Sequence, residues 1–384
     1  MIGCLDGVRV LELARFQAGP RAGMLLSDLG AEVIKIEPLG GEATRKSLPI
    51  VNGQSVYFGT YNRGKKSLCL DMRKDEGKRV FRELLAKADM VLENFRPGIM
   101  EEMGLSYEDL CKVKPDIIML RASAFGQTGP YRDRPGFDTV GQAMSGLMML
   151  TGQDEGKPIG TAFSLMDRAT ALHCTIGALG ALRHRDRTGE GQMVDVCLMD
   201  AALSMVEIPT SYYLSTGKEG GEGGRAPYKA KDGWVIVVGA TAEMFRKLCD
   251  RIGYTPDPGV DPLAMIQSTK HPVRNALGPW CEAHTVTEIL AAMEELGIVA
   301  APVLTTPQVA KDPHLWAREM LVKTEDPVAG ELYLPGLTIK FSKTPGKTGR
   351  IPEAGEHTQE ILQQLLGYED AAIARLREQH VVGG

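Results

Sequence analysis

Val8-Arg9-Val10-Leu11-Glu12-Leu13, a helix-like stretch from Pro20 to Leu29 that stops at Gly30, and Glu32-Val33-Ile34-Lys35-Ile36-Glu37 together decide the fold class. Two short apolar strands separated by a helix read as one βαβ unit, because parallel neighbours need a long crossover. The pattern repeats outward. Ser67-Leu68-Cys69-Leu70-Asp71 reads as a strand before a helix from about Asp75 to Ala88, with Val80, Phe81, Leu84 and Leu85 on one face. Met90-Val91-Leu92-Glu93 and Ile117-Ile118-Met119-Leu120 complete the set. This alternation predicts an α/β protein whose large domain is a Rossmann-like open sheet with helices on both faces.

At 384 residues the chain exceeds the usual size of one domain. The pattern changes after Ser215, where a Gly- and Glu-rich stretch runs from Gly217 to Gly224. Lys231-Asp232-Gly233-Trp234 then offers an Asp-Gly turn before an apolar strand over Val235 to Val238. We expect a large α/β domain over 1–215 and a smaller α+β domain over 225–325. A return segment, 326–384, should complete the large domain with a hairpin around Gly330 and two helices between Pro352 and His380.

A hydrophobic content of 43% and a charged content of 24% suit a globular protein, and a net charge of −5 without a basic stripe gives no reason to expect nucleic acid. The seven cysteines form no C-x-x-C pair, so neither a metal site nor a disulfide framework is indicated. No apolar run is long enough to span a bilayer and the N-terminus carries no secretory pattern, so no membrane association and a cytoplasmic location are expected.

Chemistry centres on Asp167. It follows Gly160-Thr161-Ala162-Phe163-Ser164 and opens an Ala- and Gly-rich apolar segment reaching about His184. Locally it reads first as a helix-cap residue, with Ser164 in a Ser-x-x-Asp capping box, and second as a nucleophile. Familiar fingerprints are missing: Ala14 to Pro20 is not G-x-G-x-x-G, and there is no Walker loop, G-x-S-x-G elbow or H-E-x-x-H. His173 lies six residues beyond Asp167 and points elsewhere on a helix, which makes it a packed or interface histidine.

A resemblance then emerges from motifs in order along the chain. They are Phe16-Gln17-Ala18-Gly19-Pro20, Leu29-Gly30-Ala31 running into Glu37, Asn62-Arg63-Gly64-Lys65-Lys66-Ser67 with Leu70-Asp71, and Glu93-Asn94-Phe95-Arg96-Pro97-Gly98. Arg187-Thr188-Gly189-Glu190-Gly191-Gln192 and Gly355-Glu356-His357-Thr358 continue it. The sequence resembles the class III CoA-transferases of CaiB/BaiF type, the family of formyl-CoA:oxalate and carnitine CoA-transferases. By that resemblance Asp167 is the catalytic aspartate, carrying acyl and CoA in turn as anhydride and thioester. Gln17 stands close to these adducts. Phe16, Leu70, Arg73, Asn94, Phe95, Met103 and Arg134 fall on CoA-contacting positions, the two arginines as phosphate partners. A basic residue often follows the second strand in the family; Pro38 stands there, so one phosphate contact is lost or supplied from elsewhere.

Gly220, Gly221, Gly223 and Gly224 resemble a mobile glycine loop over the active site, equally readable as an interdomain linker, with Arg225 placed to meet an acidic acceptor. No permanent cofactor is implied, since coenzyme A enters as acyl-CoA substrate with a small carboxylic acid. The resemblance implies an interlocked homodimer, with a heteromer formed with a paralogue as the alternative.

Three other functions compete. A racemase of the α-methylacyl-CoA type needs a histidine in a Gly-His-Asp stretch, whereas this chain reads Gly136-Phe137-Asp138, and phenylalanine transfers no proton. Asp138 itself either assists acyl transfer or caps the helix after it. A non-catalytic subunit is opposed by the presence of both Asp167 and Gln17. An acyl-CoA hydrolase stays open on sequence alone.

Overall fold

The computed structural model describes residues 3–152, 156–220, 226–238, 241–261 and 272–384. It divides into two compact units. The larger comprises Met1–Met144, Thr161–Leu203 and Pro313–Gly384, and the second Ser145–Gly160 with Ser204–Asp312. The large unit thus gives way at Leu203, not near 215, and resumes at Pro313, not at 326. Helix Glu207–Thr216 belongs to the second unit and buries no side chain.

The large unit is organised on seven strands: β1 (Arg9–Glu12), β2 (Glu32–Glu37), β3 (Lys66–Leu70), β4 (Met90–Glu93), β5 (Ile118–Ser123), β6 (Met193–Cys197) and β7 (Val382–Gly383). Their order is β7-β3-β2-β1-β4-β5-β6. Every pair is parallel except β7 with β3. The helices that matter to the site are α1 (Ala18–Asp28), α2 (Val56–Asn62), α3 (Asp75–Leu85), α4 (Asp138–Met144), α5 (Leu165–Thr188) and α6 (Leu198–Leu203).

Alternate strand residues feed two apolar layers, the reason these strands read as nearly continuous apolar runs. Leu11, Ile34, Leu68 and Val91 pack against Val80, Phe81, Leu84 and Leu85 of α3. The same layer takes Ile361 and Leu362 from helix Thr358–Leu366 and Ile373 and Leu376 from helix Asp370–Glu378. On the other face Val10, Val33, Leu92 and Leu120 meet Ala22 and Leu26 of α1 and Ala171, Cys174 and Ala178 of α5. Small residues let α5 lie close on the sheet: a Cβ at Gly177 would come within 2.6 Å of the Val194 side chain.

The order β3-β2-β1-β4-β5-β6 reverses direction between β1 and β4. In open α/β sheets such a switch point leaves a crevice beyond the carboxyl ends of the two strands, where ligands bind. The loops leaving β1 and β4 carry Phe16-Gln17 and Asn94-Phe95-Arg96.

The second unit holds an antiparallel sheet of Tyr228–Lys229, Trp234–Val238 and Val299–Pro302, the first two joined through the Asp232-Gly233 turn. Helices Ala242–Ile252, Val273–Glu282 and Val286–Glu295 cover it, which makes an α+β unit. In the large unit, strands Leu321–Asp326 and Gly330–Pro335 form the hairpin around Gly330. Among the described residues no helix is long and apolar enough to cross a membrane, and no cluster of His, Cys, Asp and Glu could hold a metal ion.

Candidate active site

The loop after β1 is held in an unusual backbone conformation. Phe16 has φ +64°, a left-handed conformation that bulky side chains avoid at a cost of about 1–3 kcal/mol. Asn94, just past β4, spends its whole side-chain amide on the neighbouring residue. Its Oδ1 accepts from the Arg15 amide at 2.8 Å and its Nδ2 donates to the Arg15 carbonyl at 2.7 Å. From beneath, Lys35 Nζ donates to the Ala14 carbonyl at 3.0 Å and Lys65 Nζ to the Pro20 carbonyl at 2.8 Å.

Both ammonium groups also meet Glu12, at 3.0 Å and 2.7 Å, and all three side chains are buried. Burial pulls Lys65 down to about 8 despite the Glu12 carboxylate. For Lys35 burial acts the same way, but the carboxylates of Glu12, Glu42 and Glu37 outweigh it and hold the group above its usual range. This buried ionic core fixes both ends of the Arg15–Gly19 segment.

Gln17, buried at the start of α1, donates from Nε2 to the Tyr61 hydroxyl at 2.9 Å, and the same hydroxyl accepts from Arg168 at 3.1 Å. Tyr57 reaches Gln17 Oε1 at 3.5 Å and meets Tyr61 edge to face. Burial, with the charges of Tyr61 and Asp167 added, pushes the Tyr57 phenol up to about 12.

Asp167 occupies the first turn of α5 and is half-buried. The expected capping box does not form, because the Ser164 side chain accepts no hydrogen bond. Asp138 takes that place from across the fold. Its Oδ1 accepts from the amides of Met166, at 2.5 Å, and Asp167, at 3.1 Å. Asp138 therefore caps the start of α5. Burial first, then the Asp138 carboxylate, push the Asp167 carboxyl up to about 7, while Arg168 opposes the shift.

Two cavities share this corner. A groove of about 850 Å³ is lined by Leu70, Arg73 and Met103, among others, and a chamber of about 350 Å³ by Gln17, Arg134 and Asp167. Phe16, Asn94, Phe95 and Arg96 line both. The predicted CoA contacts and the predicted nucleophile are thus brought to one continuous wall at the switch point. Phe137 also lines the chamber. Asp138 lines neither cavity; it acts on Asp167 from behind.

Arg73 is 88% exposed and doubly bonded to Asp71, its outer edge facing the groove. Gly220 is described, with φ +137° in the second unit, whereas Gly221, Gly223, Gly224 and Arg225 lie outside the described residues. Sequence reading missed Arg15, Lys78 and Arg96, cations on the groove wall, as well as Tyr57, Tyr61 and Arg168 around Gln17. Pro38 lines the groove as well.

The sequence model of CoA-transferase family III matches residues 5–358. The chain is similar to succinyl-CoA–D-citramalate CoA-transferase of Chloroflexus aurantiacus, with 37% identity and 98% of each chain covered. It is also similar to the beta subunit of succinyl-CoA–L-malate CoA-transferase of that organism, with 35% identity over 98% of each chain. Its fold matches the crystal structure of a CaiB/BaiF family protein from Brucella suis, with a TM-score of 0.82, 34% identity, and 95% of this chain and 100% of that one covered. The chain belongs to CoA-transferase family III. It is an enzyme that moves coenzyme A between carboxylic acids.

Proposed function

We propose that Asp167 carries this transfer covalently. Its carboxylate attacks the acyl-CoA thioester carbonyl, the C–S bond breaks, and CoA leaves as thiolate from an aspartyl–acyl anhydride. The thiolate attacks the aspartyl carbonyl and expels the free acid, leaving an aspartyl-CoA thioester. The acceptor carboxylate then displaces CoA, and the thiolate attacks the new anhydride at its acyl carbon, releasing Asp167. No net bond energy is needed, because one thioester is exchanged for another.

The observation that carries this reading is the placement of Asp167 in a chamber sharing a wall with the large groove. A weak nucleophile needs positioning and partial desolvation, and half-burial supplies both. The groove suits the nucleotide end of CoA, with Arg73, Arg15, Lys78 and Arg96 as phosphate partners and Phe95 and Met103 as apolar contacts. First-turn amides of a helix have no partner within it. At α1, whose Ala18 lines the chamber, they are the donors we assign to the tetrahedral oxyanions. The two relatives act on succinyl-CoA and on hydroxy-dicarboxylic acids, so succinyl-CoA and a short dicarboxylic acid are the pair we assign.

Leu172, Ile176 and Leu179 of α5 are exposed, which suits burial against a second chain in a family-type dimer. The test is transfer from succinyl-CoA to a panel of dicarboxylic acids, followed as new CoA thioesters by chromatography. Asp167→Ala should lose transfer by at least about four orders of magnitude, as removal of a nucleophile does elsewhere. Retained turnover in that variant would overturn the assignment.

A further inference from the structure

Asp138 does something to Asp167 that ordinary helix capping would not. A carboxylate in the first turn of a helix is normally stabilised by the positive helix end and its free amides. Here the amides of Met166 and Asp167 are already taken, both by Asp138 Oδ1. The other Asp138 oxygen accepts from Gln142 Nε2, and Gln142 Oε1 in turn accepts from the Thr161 amide at 2.9 Å. Asp138 and Gln142 are both buried, so the pair is locked in place from α4.

The helix end is thus answered by one carboxylate while a second, Asp167, is left beside it. Other ionisable groups sit on the elements around: Arg21 on α1, Tyr57 and Tyr61 on α2, Arg134 on the chamber wall, Asp200 on α6 and Arg168 on α5. Among the charges, the Asp138 carboxylate raises the Asp167 carboxyl and Arg168 lowers it, while Asp167 in turn raises the phenols of Tyr57 and Tyr61.

We propose that Asp138 is a positioning residue that withholds the helix end from Asp167 and sets a like charge against its free carboxylate, a repulsion relieved when Asp167 becomes an anhydride or thioester. The reasoning is a charge count. Free Asp167 is an anion next to an anion; acylated Asp167 is neutral. The arrangement raises the free enzyme relative to both covalent intermediates and makes the attacking oxygen more basic. This inference rests on the covalent role of Asp167.

The experiment is the pH dependence of kcat/KM for succinyl-CoA in exchange with radiolabelled succinate, measured on full-length wild type, Asp138→Asn and Asp167→Ala. Asp167 attacks as carboxylate, so activity is lost as pH falls through its pKa. Removing the Asp138 charge lowers that pKa, and the acid limb of Asp138→Asn should move down by about one pH unit. Its kcat on the alkaline plateau should fall, because a less basic carboxylate attacks more slowly. A purely structural role for Asp138 would change amplitude and thermal stability but leave the limb in place, and an unmoved limb overturns the proposal. Should Asp138→Asn fail to fold, Asp138→Asn/Gln142→Glu restores matched donors and acceptors with the charge one side chain further away. Its limb should lie below that of wild type by less than about one pH unit, and a limb at the wild-type position overturns the proposal equally. Undiminished exchange in Asp167→Ala would instead sink the covalent reading itself.

Discussion

Asp167 is held where ionisation is costly, and that cost has a measurable sign. Its carboxyl is pushed from 3.8 to about 7 by burial and by Asp138. A group raised in the folded state contributes stability that is fully present below its unfolded pKa and lost as pH rises through the folded one. Between about pH 4 and 7, wild type should therefore lose stability relative to Asp167→Asn. Thermal melting of the two at pH 4 and pH 8 should show the variant gaining on wild type at the higher pH; an equal difference at both would mean that the site does not strain the carboxylate.

At this scale the sequence was only partly legible. Asp167, Gln17 and the groove residues were marked by the family motifs, because they stand at matching positions in order. The cap was misread because Ser164 is three residues from Asp167 whereas Asp138, the true cap, is twenty-nine residues away. A local pattern carries no information about a partner that only folding brings near.

Among the elements, the loop between β1 and α1 is the one the fold works hardest to hold. Phe16 keeps a positive φ because Asn94 clamps Arg15, while Lys35 and Lys65 hold the carbonyls on either side. Glu12 beside Leu11 in β1, and Lys35 between Ile34 and Ile36 in β2, are charges set among buried apolar residues, and that was the available clue to a buried ionic core. Breaking it should be expensive, since one charge is left buried without its partner. Lys65→Met should cost roughly 3–5 kcal/mol in denaturant unfolding. A loss below about 1 kcal/mol would mean that Glu12 is satisfied without Lys65. Strand and helix positions were readable from apolar periodicity, as with Val80, Phe81, Leu84 and Leu85 on α3. Sheet order was not, because register depends on which crossovers pack together and no single segment encodes that.

For the whole molecule, alternation of strands and helices predicted the open sheet, and the Asp-Gly turn marked the strand Trp234–Val238 that follows it. The division at Leu203 escaped reading, because helix Glu207–Thr216 follows closely on α6 and looks like its continuation, yet buries no side chain. What the architecture achieves is a meeting of three distant segments, the loops after β1 and β4 and the first turn of α5, at one switch point. That meeting underlies the claim of covalent catalysis by Asp167. Its most direct test is to incubate the enzyme with succinyl-CoA, quench with hydroxylamine and map the product by peptide mass spectrometry. Hydroxylamine should displace CoA or succinate from the adduct and leave a hydroxamate on the Asp167 side chain, absent when acyl-CoA is omitted. A hydroxamate-free Asp167 peptide under turnover conditions, or an acyl group recovered on a cysteine, would contradict the account.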